Sequence, residues 1–169
     1  MELPEDEKGE DRSHVKLLAQ VIRAIRKQRR MKPSEVAKAM GLPLRTYEHF
    51  ERGSGRMTYA RIRRFGLATD CDPIAIVATL PLRSPEFALN TADNKLMTIA
   101  MAALSELNDE LGADIHFLSS PMLVNAFDRL SKDLVEQVRK RDQSAELWIE
   151  QQSAKLHGAA FRRPGQAPG

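Results

Sequence analysis

The 169-residue chain is 42% apolar and 29% charged with only 5% aromatic residues, so it can bury an aliphatic core and stay soluble. A single cysteine, Cys71, excludes an internal disulfide framework and any CxxC metal or redox motif. The net charge of +3 hides its distribution: residues 1–11 hold six acids and one lysine, residues 12–64 hold 15 Lys/Arg against three acids, and residues 65–169 hold 10 basic against 14 acidic residues.

An excess of twelve positive charges over about fifty residues repels itself unless a polyanion is the partner. The acidic start "MELPEDEKGEDR" is the reverse of a signal peptide, and no apolar run approaches the ~18 residues that span a membrane. A cytoplasmic protein without a membrane partner is expected.

Residues 1–12 lack apolar periodicity and read as a disordered acidic tail. Ser13 is a candidate N-cap for a helix that carries Val15, Leu18, Val21, Ile22 and Ile25 on one stripe. "KPSEVAKAM" predicts a short helix with Pro33 at its first position, Val36, Ala37 and Met40 inward, and Gly41 as its stop. A third helix over Leu44–Arg52 is anchored by Tyr47 and Phe50, and "GSG" at 53–55 breaks the chain. A fourth helix uses Ile62, Phe65 and Leu67, and Asp72-Pro73 starts a fifth.

The prolines of "PLRSPEF" predict a linker over residues 81–90. Beyond it, Ala92–Leu111, Pro121–Arg141 and Ala145–Leu156 carry apolar residues at helical spacing, with Gly112 as a stop. Two or three such helices make a small core alone, so residues 91–158 are expected to dimerise or to bind another protein. Residues 159–169 read as a disordered tail. The domain expected over 13–80 precedes this segment.

The order "PSEVAKAMGLPLRTYEHFERG" places a small residue, Ala37, at a helix crossing, a glycine in the turn and Leu42 as a plug beneath it. With the flanking helices it resembles the phage-repressor-like helix-turn-helix family, of Cro/cI or XRE type, on Glu35-Val36-Ala37, Gly41-Leu42 and Thr46–Gly53. The similarity covers residues 14–80. It implies an all-α protein whose five-helix domain binds duplex DNA, followed here by a helical segment, and usually a homodimer on a two-fold site.

The same resemblance implies base-reading positions at Leu44, Arg45, Thr46 and His49. Arg45 can bond O6 and N7 of one guanine, worth ~1–3 kcal/mol of discrimination. Thr46 can touch a phosphate or a thymine methyl, and His49 can donate to a purine acceptor or a phosphate. Leu44 either makes apolar contact or packs beneath the turn. Glu48, on the same outward face, either accepts from a cytosine amino group or repels phosphates. Phosphate contacts are implied for Lys32, Ser34, Arg52, Arg56, Thr58 and Arg61, and a partly buried ion pair for Arg26 and Glu51. Pro33 and Pro43 depart from the family, which often has a glutamine and a capping hydroxyl there.

No catalytic constellation, P-loop or HExxH motif is present, and no cofactor is expected. "DELGADIH" gathers Asp109, Glu110, Asp114 and His116, which reads as a polar helix end in the absence of a second ligand cluster. The expected function is a dimeric, DNA-binding transcription regulator that represses. The alternatives are an activator touching RNA polymerase through its C-terminal helices, or a protein–protein adaptor that kept the fold alone.

Overall fold

The structure, a computed structural model, describes residues 5–160, and side chains over 12–150. Its regular elements are all helical: α1 (Glu5–Gln28), α2 (Pro33–Ala39), α3 (Leu44–Arg52), α4 (Tyr59–Thr69), α5 (Pro73–Leu82), α6 (Pro85–Asn90), α7 (Leu96–Leu111), a 3-10 segment (Gly112–Phe117) and α8 (Ser120–Ala160). The chain divides into two compact units between Glu110 and Leu111.

In the first unit α1 packs on α3, α5 and α6, α2 on α3 and α4, and α5 on α4 and α6. The core joins Leu18, Val21, Ile22 and Ile25 of α1 to Val36, Ala37 and Met40, and to Tyr47 and Phe50 of α3. Aromatic rings run through it, Tyr47 to Phe50 and Phe50 to Phe65, with both pairs tilted and 6.3 Å between centroids. Leu42 packs against this cluster from the turn between α2 and α3.

Several boundaries differ from expectation. Helix α1 begins at Glu5, so Ser13 lies within it rather than capping it, and residues 5–12 are helical rather than a disordered tail. Residues 1–4 and 161–169, the rest of the two expected tails, lie outside the described residues; Ala159 and Ala160 still belong to α8. Leu67 points outward at 72% exposure, because Ile62, Phe65 and Thr69 define the buried face of α4.

The expected linker is instead part of the domain. Pro81 is carried inside α5, and Pro85 opens α6, where its missing N–H costs nothing. Ala88 and Ala92 are buried, and Phe87 and Leu89 pack against the same core. Asp72, fully buried, caps α5 by accepting the N–H groups of Ile74 at 3.1 Å and Ala75 at 3.3 Å. Its other oxygen accepts Met97 and Thr98 N–H at 2.8 and 3.1 Å, so one carboxylate caps α7 as well.

In the second unit, α8 joins the expected Pro121–Arg141 and Ala145–Leu156 helices into one of 41 residues. Nothing between them breaks a helix, and Ser144 returns its hydroxyl to the Lys140 carbonyl at 2.9 Å. Gly112, at φ +52°, marks the stop after α7.

Candidate nucleic-acid interface

Helix α3 has two faces. Tyr47, Phe50 and Glu51 are buried, while Leu44 (44% exposed), Arg45, His49 and Arg52 lie on the surface with Thr46 and Glu48 half-buried. Positions 45, 49 and 52 follow one another on a single helical face. Pro43 stands at the N-cap without a side-chain bond, and its carbonyl accepts Thr46 N–H at 3.0 Å and Tyr47 N–H at 3.1 Å.

The buried face is tied to α1 by Arg26 and Glu51. Arg26 donates Nε–H to Glu51 Oε1 and Nη2–H to Oε2, the latter at 3.3 Å. Its Nη1 reaches the Met31 carbonyl at 3.0 Å, which ties in the chain before α2. Tyr47 donates its hydroxyl to Glu51 Oε1 at 3.1 Å. Burial, together with the neighbouring Glu51 charge, holds the Tyr47 phenol well above its usual range, so it stays a donor. The Glu51 hydrogen bond raises the Arg26 pKa.

Where α3 ends, Gly53 adopts φ +76° and lies against α1. A Cβ there would come within 3.0 Å of Val15 Cγ1 and 3.3 Å of Ala19 Cβ. Ser54 then folds back: its N–H and hydroxyl reach the His49 carbonyl at 3.0 and 3.2 Å, and its Oγ lies 3.0 Å from His49 Nδ1. The ring is thereby held through Nδ1 with Nε2 remaining, a donor in one tautomer and an acceptor in the other. Sequence reasoning treated Ser54 only as part of a breaker.

Not every expected surface residue is free. Arg52 lies 3.7 Å from Glu48 and donates Nε–H to the Glu48 carbonyl at 3.1 Å. Glu48 lines a groove with Arg23, Arg26, Pro33, Glu51 and Arg52, so its charge lies among arginines at the α1–α2 side of α3. Thr58 caps α4, accepting Arg61 N–H at 3.4 Å, and Arg61 Nη1 donates to the Arg56 carbonyl at 3.1 Å. The Glu35 carboxylate accepts Lys32 N–H at 2.6 Å and offsets part of the positive end of α2. Lys32, Ser34, Arg45 and Arg56 are exposed, as are Arg63 and Arg64 of α4.

Some basic side chains are engaged within the domain itself. Arg29 donates to the carbonyls of Thr69 at 2.9 Å and Asp70 at 2.7 Å and pairs with Asp93 at 2.6 Å. Lys95 bonds Asp70 Oδ1 at 2.9 Å, which lowers the Asp70 pKa.

Among the described residues no three His, Cys, Asp or Glu side chains converge as metal ligands. His116 instead contacts the Ala113 carbonyl within its own 3-10 segment. Cys71 is buried, which raises its thiol pKa against the effect of the Thr69 hydroxyl at 3.3 Å. No described helix is long and apolar enough to cross a membrane. No family model, curated protein or solved structure matches the chain.

Proposed function

We propose that the chain is a sequence-specific transcription regulator that binds duplex DNA, with α2 and α3 acting as a helix-turn-helix of the Cro/cI or XRE kind. The observation that carries this reading is the division of α3. One face is anchored in the core by Tyr47, Phe50 and the Arg26–Glu51 pair, and the other presents Arg45 and His49 to solvent. A helix fixed in this way can enter a major groove without losing its own packing.

Arg45 is the base reader, with Thr46 and His49 beside it and Leu44 in apolar contact. Lys32, Ser34, Arg52, Arg56, Thr58 and Arg61 serve the phosphates. For Arg52 this means exchanging the Glu48 pair for a phosphate. Such contacts fix register, and base contacts supply selectivity. The protein acts as a homodimer and represses by occupying a site that polymerase would need. The exposed apolar side chains of α7, Ile99 and Met101 among them, favour a further protein contact, which is where an activator would touch RNA polymerase.

A salt titration on random and selected duplexes tests this. Each neutralised phosphate should contribute a slope of about −0.9 in log K against log salt. A selected duplex bound no better than random sequence, or binding indifferent to salt, would overturn it.

A further inference from the structure

Helix α8 carries an apolar stripe that no described residue of its own unit covers. Among the described residues that unit holds the 3-10 segment and α8 as its regular elements, and every α8 side chain described, Ser120–Glu150, is exposed. Helices draw most of their stability from packing an apolar face, which a lone helix lacks.

The spacing of the stripe says what fits it. Leu130, Leu134 and Val138 continue through Arg141, Ala145 and Ile149, separated by 4, 4, 3, 4 and 4 residues. These steps follow an eleven-residue period, which gives a seam with a slight right-handed supercoil. A strict heptad through Leu134, Val138, Arg141 and Ala145 would run on to Trp148 and back to Ser131 and Phe127, whereas the wider spacing keeps Leu130 and Ile149 on the seam. The same series reads identically from either end, so a copy of the helix turned end for end meets it in register.

We propose that α8 pairs with α8 of a second copy in antiparallel orientation, about a two-fold axis between Arg139 and Lys140. Leu130 then lies level with Ile149 of the other copy, and Leu134 with Ala145, a large side chain against a small one. Val138 meets Arg141, whose aliphatic stem follows the seam while its guanidinium reaches water. Parallel pairing in register would set Arg141 against Arg141 and Ala145 against Ala145, combining repulsion with a void. The ion pairs Asp128–Lys132 and Glu136–Lys140, each at 2.7 Å, lie off the stripe and hold the outer face in water.

This gives the self-association of the proposed regulator a specific form, and it stands or falls without DNA. The full chain, free of DNA, is weighed by sedimentation; twice the chain mass is expected, and half that mass for a Leu134→Glu, Val138→Glu variant. Chains bearing Leu134→Cys and chains bearing Ala145→Cys are then mixed under reduction and oxidised. Antiparallel pairing yields disulfides between the two variants, because two copies of position 134 would be roughly 16 Å apart along the axis. Cys71 is buried and does not compete. A monomeric wild-type chain overturns the proposal, as do disulfides formed only within each variant. Duplex binding is measured on the same samples: antiparallel cross-links without it uphold the pairing and sink the regulator reading, and selective binding by a monomer does the reverse.

Discussion

The hydroxyl of Thr98 donates to Asp72 Oδ1 at 2.8 Å, across 26 residues of chain. That bond completes a buried carboxylate whose two oxygens terminate two different helices. Burial by itself would raise the Asp72 pKa; the Thr98 bonds and the backbone N–H groups of Ala75 and Met97 outweigh it and leave the value lowered. A carboxyl lowered in the folded state contributes stability above its unfolded pKa, near 3.9, and that stability is lost as pH falls through the folded value. Asp72→Ala should cost roughly 2–3 kcal/mol, about one for each cap with the remainder from stranded donors. Thr98→Val should cost about 1 kcal/mol near neutrality, and its deficit should shrink as pH falls below the unfolded pKa and through the lowered folded value, where the carboxylate is titrated. Urea unfolding across that range measures both. A deficit that is constant with pH would separate Thr98 from the ionisation.

Arg26→Ala leaves Glu51, 8% exposed, with only the Tyr47 hydroxyl, and should destabilise by ~3–5 kcal/mol. Removing both charges together, as Arg26→Met with Glu51→Leu, should cost less than either single change. Chemical denaturation of the three variants checks this. Equal additive losses would mean that the pair acts as two independent solvated charges.

Arg45→Ala should weaken the selected duplex by ~1–3 kcal/mol and relax one base position while leaving random-sequence affinity nearly unchanged. Fold stability should not move, since the side chain is exposed. Competition binding with single-base variants of the site is the measurement. A uniform loss over all sequences would reassign Arg45 to a phosphate.

Ser54 should matter through His49. Ser54→Ala frees the ring and should cost about 1 kcal/mol of selected-site affinity. In a double-mutant cycle with His49→Ala the two losses should not add. Additive losses would make Ser54 a separate contact.

Much of the α2–α3 region was legible because its signals are local. Pro33 at the first turn, Gly41 at φ +63° and the three-residue step from Tyr47 to Phe50 each dictate one backbone or packing feature. The misses arose where one residue type carries two meanings. Pro85 reads as a loop former or as a helix's first residue, and only the burial of Ala88 and Ala92, too small to make an apolar stripe, separates the two. Leu67 follows Phe65 by two residues, which on a helix is the opposite face. The engagement of Arg52, Thr58 and Arg61 depends on loop and carbonyl positions that no periodicity encodes. The same holds for Ser54 folding back on His49.

Gly53 places the end of α3 so near Val15 that an added Cβ would stand 3.0 Å from its Cγ1, a contact tighter than side chains ordinarily make, at a positive φ that they rarely adopt. The angle at which Arg45 and His49 leave the surface therefore depends partly on an atom that is missing. A methyl group added there would wedge α1 from α3 and tilt the outward face while every side chain on that face remained in place. Under the proposed function, a genetic screen for lost regulation would collect changes at Gly53 beside those at Arg45. Heat would tell them apart, because only the Gly53 change loosens the core.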